Sequence, residues 1–158
     1  MLIQIGISLG GNLGDREAAL SKAIYELQLN GLNILKTSEM IETSPVGFDS
    51  EHLFLNMAVL AETEFEAGAL LHLFKAIELG MGRIPSGEFS SDRVIDLDLI
   101  FYGDQVIKTD ELMVPHPRMH ERLFVLEPFF EIMPKWRHPV SNQTVEEMRQ
   151  KLLTSGKL

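Results

Sequence analysis

Cysteine is absent from the 158-residue chain, which excludes disulfide staples, thiolate metal sites and a thiol nucleophile. Basic residues are scarce: 14 Lys and Arg stand against 23 Asp and Glu, a formal charge of −9, so a general basic field for nucleic acid is excluded. An anionic ligand must therefore be held by a local cluster of cations. No apolar run approaches the roughly 18 residues of a membrane span. The apolar start, Met1 to Leu9, has no basic leader and contains Gln4, so it reads as a strand and not as an export signal. No Gly-x-Gly-x-x-Gly, P-loop or Gly-x-Ser-x-Gly string occurs, which argues against a dinucleotide fold, a P-loop or a serine-hydrolase elbow. What is present, 45% hydrophobic and 23% charged residues, suits one domain over residues 1–158 with a real core. A cytoplasmic monomer acting on small molecules, without nucleic-acid or membrane partners, is expected.

The hydrophobic pattern gives the order of elements. Ile3, Ile5, Ile7 and Leu9 alternate as one face of a strand. From Asp15 to about Leu29 the spacing of Leu20, Ala23, Ile24 and Leu27 is helical, and Asn30-Gly31 ends it. Strands are predicted over Ile34–Glu42 and Leu55–Glu62, joined by a Ser44-Pro45-Val46-Gly47 loop. Leu70, Leu71, Phe74 and Ile77 then mark a helix stopped by Gly80 and Gly82, and Val94–Phe101 is again a strand. This β-α-β-β-α-β order implies an α+β, ferredoxin-like core with two helices on one face of an antiparallel sheet. A helix ending near Glu127 and another over Val145–Leu153 are free to cover the other face, giving three α/β/α layers. Pro85 to Asp92 is small and polar and reads as a mobile loop.

The sharpest chemical signal is IDLDLIFYG from Ile95. In a strand Asp96 and Asp98 project from one face while Ile95, Leu97 and Leu99 project from the other. Two adjacent carboxylates repel and disfavour a strand, so something positive belongs beside them. Divalent cations suit, because Mg²⁺ takes a few carboxylate oxygens together with substrate phosphate oxygens. By spacing alone, the pair is equally compatible with an edge strand exposing two aspartates to water. Arg83, Arg93, Arg118 and Arg122 surround the pair in sequence, with His116 and His120 in HPRMHER. Arginine forks match phosphate oxygens, whereas carboxylates reach them only through a metal. Carboxylates, arginines and loop together describe a metal-dependent phosphoryl-transfer site. His116 and His120 have helical zinc-ligand spacing but no evident third ligand.

Several strings together resemble the 6-hydroxymethyl-7,8-dihydropterin pyrophosphokinase family: SLGGNLGDR, ETSPVG, FLN, IELGMGR, DRVIDLDLIFYG and VPHPRMHERLFVLEP, with R-x-x-D-L-D-L-I present as Arg93 to Ile100. The likeness runs over nearly the whole chain. It implies a ferredoxin-like fold and transfer of the β,γ-diphosphate of ATP, as co-substrate, to the pterin hydroxymethyl group in folate biosynthesis, with release of AMP. It further implies that Asp96 and Asp98 hold two Mg²⁺ ions. Glu78, Arg83, Arg93, His116 and Arg122 would lie on the ATP side, with Arg83 and Arg93 counted as catalytic beside the two aspartates. Thr43, Pro45, Val46, Phe54, Asn56 and Phe124 would form the pterin slot, where aromatic faces suit a flat heterocycle and Asn56 its amide edge.

The chain departs from the family pattern before Arg93. Family members carry Trp-Gly-Pro-Arg there, and this chain has Ser90-Ser91-Asp92-Arg93, with Glu88 and Asp92 adding negative charge near a triphosphate. Phe89 is the candidate replacement for the aromatic lid, and Gly10-Gly11-Asn12 replaces Gly-Ser-Asn. The altered loop leaves open a second reading, a non-catalytic or altered-specificity homologue that binds a pterin or nucleotide.

Overall fold

The computed structural model describes residues 1–45, 50–84 and 92–156. Val46, and the loop residues 85–91 with Glu88 and Phe89, lie outside the described residues. Chain order is β1 (Ile3–Gly11), α1 (Arg16–Leu29), β2 (Asn33–Thr37), β3 (Ile41–Thr43), β4 (Phe54–Thr63), α2 (Ala67–Gly80) and β5 (Asp96–Tyr102). A short hairpin of β6 (Ile107–Lys108) and β7 (Met113–Val114), a 3₁₀ turn (Met119–Glu121), α3 (Leu123–Ile132) and α4 (Val145–Thr154) follow. The main sheet runs β2-β4-β1-β5 with β3 also on β4, and every pairing is antiparallel. This is the expected split-βαβ order with the central strands β4 and β1.

Alternation in the strands sorts residues into two cores. Ile5, Ile7 and Leu9 of β1 meet Leu55, Met57 and Val59 of β4, and α1 and α2 seal this face with Leu20, Leu27, Leu70 and Phe74. Asp15 caps α1 by accepting a hydrogen bond from the Ala18 N–H at 3.1 Å. The opposite face carries Ala58, Leu60, Ile100 and Phe101, covered by α3 and α4 through Leu126, Phe129, Met148 and Leu152. Thr144 and Glu147 start α4 with a reciprocal capping box. Three layers result.

Three local features differ from the periodicity. The strand expected over Ile34–Glu42 is two strands, because Ser38 interrupts it. Its Oγ accepts from the Ala58 N–H at 2.8 Å, and the next amide, Glu39 N–H, turns to the Glu131 carboxylate of α3. In β5 a bulge replaces strict alternation: Ile7 faces Leu99 but Gly6 faces Phe101, so Ile100 and Phe101 both join the second core. A Cβ on Gly6 would overlap the Phe101 ring, so glycine is what lets that ring lie flat across β1. The helix expected to end near Glu127 continues through Pro128 to Ile132. Phe129 and Ile132 are buried beyond the proline, and their packing outweighs the amide hydrogen bond that Pro128 cannot make.

Candidate functional site

The second face of the sheet is apolar only at one end. Towards the C-terminal end of β1 its residues become polar or small, in two rows set by the strand register. Asn56, Gly10 and Asp96 lie side by side on β4, β1 and β5, and Ala58, Ser8 and Asp98 form the next row. Directly opposed residues share a face, so Asn56 stands about two strand spacings, roughly 10 Å, from Asp96 with a bare glycine between them. A Cβ on Gly10 would come to 2.7 Å from Asn56 Oδ1. The open floor of the cleft therefore depends on that missing side chain.

On the β5 side, cations and carboxylates interlock. Arg83, just past α2, donates from Nη1 to Asp96 Oδ1 at 2.9 Å and pairs with Glu78 Oε2 at 2.9 Å. Arg93 reaches Asp96 Oδ2 at 3.5 Å. Glu78 projects from the last turn of α2, and its carboxylate accepts the Leu97 N–H at 2.7 Å. One side chain thereby satisfies the outer edge of β5 and orients Arg83. Burial raises the Glu78 carboxyl pKa against the opposing pull of the Leu97 N–H and Arg83.

Asp98 is the uncompensated member. Among the described residues no hydrogen bond or ion pair closes on its carboxylate. Burial, with the Asp96 and Glu78 charges beside it, pushes its pKa up to about 8, against the pull of Arg122 and Arg93. A hard cation would reverse that penalty, which is the fit expected of a metal-binding carboxylate pair. Among the described residues no group of three or more His, Asp or Glu is placed to hold a metal alone. An ion here would need oxygens from elsewhere, such as a polyphosphate.

The segment after β7 closes the far side. The His116 N–H donates to the Ile100 carbonyl at 2.7 Å, docking the segment on the free edge of β5. The Arg118 N–H donates to His116 Nδ1 at 3.1 Å, leaving Nε2 as the N–H of the neutral ring. Burial and the charge of Arg122 hold the imidazole pKa down to about 4. Arg122 lies over the Phe124 ring, and among the described residues its buried Nε–H has no hydrogen-bond partner. An unmet guanidinium donor beside a carboxylate pair is a ready site for a phosphate oxygen. Arg118 and His120, also singled out from sequence, instead gather on the exposed Glu121.

On the β4 side Asn56 is buried, 4% exposed, and its Nδ2 donates to Thr43 Oγ1 at 2.5 Å. Phe54 is opposite Thr43 in the β3–β4 register, and Arg93 lies 5.4 Å from the centroid of its ring. Arg93 thus touches both halves of the cleft. Pro45 follows at the limit of the described residues.

Asn12, which the sequence marks only as part of Gly10-Gly11-Asn12, is a clamp between distant segments. It is 3% exposed, its Nδ2 donates to the His52 carbonyl at 3.1 Å and to Asp92 Oδ1 at 2.7 Å, and its Oδ1 accepts the Arg93 N–H at 2.7 Å. The Gly11 position allows this clamp, since a Cβ there would overlap the Val94 carbonyl. Asp92, expected to burden a triphosphate with charge, accepts hydrogen bonds from Ser50 and Asn12 that hold its carboxyl below the usual range. An open groove of about 530 Å³ by Gln4, Leu60, Met133 and Trp136 lies at the other end of this face, away from the carboxylates.

Residues 6–134 match the sequence model of the 7,8-dihydro-6-hydroxymethylpterin-pyrophosphokinase family. The 2-amino-4-hydroxy-6-hydroxymethyldihydropteridine pyrophosphokinase of Bacillus subtilis is 43% identical over 127 residues, 80% of this chain and 75% of that protein. Its counterpart in Porphyromonas gingivalis is 40% identical over 136 residues, 84% of this chain and 92% of that one. A folic acid synthesis protein of Pneumocystis carinii is 35% identical over 147 residues, 93% of this chain, which spans only 20% of the fungal protein. The crystal structure of Plasmodium falciparum HPPK-DHPS with pteroate superposes with a TM-score of 0.76 at 17% identity, over 96% of this chain and 42% of that one. That likeness extends to the ferredoxin-like fold. Among the described residues no helix is long and apolar enough to cross a membrane.

Proposed function

The chain belongs to the 7,8-dihydro-6-hydroxymethylpterin-pyrophosphokinase family, and we propose that it transfers the β,γ-diphosphate of ATP to 6-hydroxymethyl-7,8-dihydropterin in folate biosynthesis. The hydroxymethyl oxygen attacks the β-phosphorus, the bond from that phosphorus to the α,β-bridging oxygen breaks, and AMP leaves with the oxygen while the alcohol releases its proton. The observation that carries this reading is the pair of rows on one sheet face. They set an amide, Asn56, across a bare Gly10 from a carboxylate pair ringed by Arg83, Arg93 and Arg122.

In this reading Asp96 and Asp98 would hold two Mg²⁺ ions, which would supply neutralisation of the polyphosphate charge during transfer. The charge balance supports them. Three arginines face Glu78, Asp96 and Asp98, but Asp98 resists ionising without a cation beside it, so its carboxylate and an ATP with roughly four negative charges both call for cations that arrive with the nucleotide. Arg122 offers its unmet Nε–H to a phosphate, and Arg93 and Arg83 hold Asp96 in place from either side. Neutral His116 offers Nε2–H as a hydrogen-bond donor to the nucleotide without adding charge. Asn56, oriented by Thr43, reads the pterin amide edge, and Phe54, Phe124 and Pro45 supply its apolar walls. Fixing the alcohol in line with the β-phosphorus is then the main source of rate.

Phosphorus NMR of a mixture with ATP, Mg²⁺ and the reduced pterin tests the reading. AMP and a pterin diphosphate should accumulate together and stop on addition of a chelator. Accumulation of ADP, or transfer that persists without a divalent ion, contradicts it.

A further inference from the structure

The two strands that carry Thr43, Phe54 and Asn56 are tied together from behind. Arg16 opens α1, on the face of the sheet opposite the cleft. Its Nη1 donates to the Leu53 carbonyl at 3.1 Å and pairs with Glu42 Oε2 at 2.9 Å. Glu42 pairs with Leu55, and Thr43 with Phe54, as the last two couples of the β3–β4 register before the strands part. One guanidinium nitrogen thus spans both strands at the mouth of the hairpin, from residue 42 on one side to residue 53 on the other. Asn12 Nδ2 binds the adjoining His52 carbonyl. Asn12 and Arg16, at the two ends of the β1–α1 connection, therefore hold two successive carbonyls immediately before Phe54.

Global stability is a poor explanation for the Arg16 contacts. The Arg16 and Glu42 side chains are 30% and 54% exposed, and exposed pairs of this kind contribute little to unfolding free energy. Their effect falls on local geometry. With the ten residues 44–53 between the strands, the separation of Thr43 and Phe54 at the mouth is otherwise set by their own ladder pair, the Asn56–Thr43 hydrogen bond and the Asn12 grip on His52.

We propose that Arg16 is a positioning residue for the pterin: by holding Glu42 and the Leu53 carbonyl together it sets the spacing of Thr43 and Phe54, and so the width of the slot. This rests on the reading of that hairpin as the pterin site. The test compares wild type with Arg16→Ala, Glu42→Gln and the double variant, by steady-state kinetics for both substrates and by amide hydrogen exchange. Arg16→Ala should raise KM for the hydroxymethyldihydropterin about fivefold, leaving kcat and KM for ATP within about twofold. The Glu42→Gln change should add nothing further in the Arg16→Ala background, because both break one link. Exchange at Thr43 and Phe54 should quicken in Arg16→Ala while Ala58 and Leu60 stay unchanged. An unaltered pterin KM, an equal loss for both substrates, or additive effects of the two changes would overturn the proposal. Should wild type form no AMP, the pyrophosphokinase reading fails and exchange decides the brace by itself: quickening at Thr43 and Phe54 supports it, and unchanged exchange there overturns it.

Discussion

The two faces of one sheet answer to different demands. On the face under α1 and α2, β1, β4 and β5 present Ile5, Ile7, Leu9, Met57, Val59, Leu97 and Leu99, all buried and all apolar. On the reverse face the same strands present Ser8, Gly10, Asn56, Asp96 and Asp98 at one end and Leu60, Ile100 and Phe101 at the other. The apolar face supplies rigidity, and the polar half of its reverse uses that rigidity to hold the Asp96 and Asp98 carboxylates side by side. A residue's contribution to stability and its contribution to chemistry should therefore separate by strand parity, even between neighbours in sequence.

The largest effect expected is at Asp98. Asp98→Ala should lower kcat by about three orders of magnitude. Asp98→Asn, measured in urea without metal, should raise unfolding free energy by about 1 to 2 kcal/mol, because the raised carboxyl pKa marks a group that the apo fold holds at a cost. The contrasting change is Leu9→Ala, on the other face of the neighbouring strand. It should cost about 2 to 5 kcal/mol of stability while the folded fraction keeps kcat within a few fold. An Asp98→Asn protein less stable than wild type without metal would break the contrast between faces.

A smaller effect is expected where the faces meet, at Asn12. Asn12→Ala leaves the Arg93 N–H and the His52 carbonyl without their partner, at a cost of about 2 to 3 kcal/mol. It should also lower kcat, since Arg93 loses its backbone anchor; paired melts and assays check both. The smallest effect concerns His116. Its folded pKa, about 4, lies below the ordinary value of about 6.5. Protons therefore favour the unfolded chain as pH falls through that window, and stability is complete above it. The loss between pH 6.5 and 4 should be about 1 kcal/mol after allowance for partial exposure. It should be missing in His116→Asn, while NMR of the ring carbons in wild type should give a midpoint near 4.

Much of this contrast was legible in the chain. Alternation in LIQIGISL and the D-x-D of β5 already separated an apolar parity from a polar one, and helical spacing at Leu20 to Leu27 and Leu70 to Ile77 placed the covering layer. The missing parts depend on side chains that act on distant backbone. The Ser38 hydroxyl breaks the second strand by binding an amide 20 residues away, and Asn12 grips residue 93 from 81 positions upstream. The bulge at Ile100 shifts parity without leaving a mark in hydrophobicity. The helix expected to end near Glu127 runs on to Ile132 because the burial of Phe129 and Ile132 beyond Pro128 is a tertiary property. Arg16 and Asn12 belong to the family-like string SLGGNLGDR, yet only the fold reveals which carbonyls they hold.

A crystal structure with Mg²⁺ and a non-hydrolysable ATP analogue tests the account most directly. Metal density should lie between the Asp96 and Asp98 carboxylates and the β- and γ-phosphate oxygens, with Arg122 Nε on a phosphate and Asn56 free to face the pterin. A triphosphate bound elsewhere on the sheet, with both aspartates turned away from it, would contradict the account.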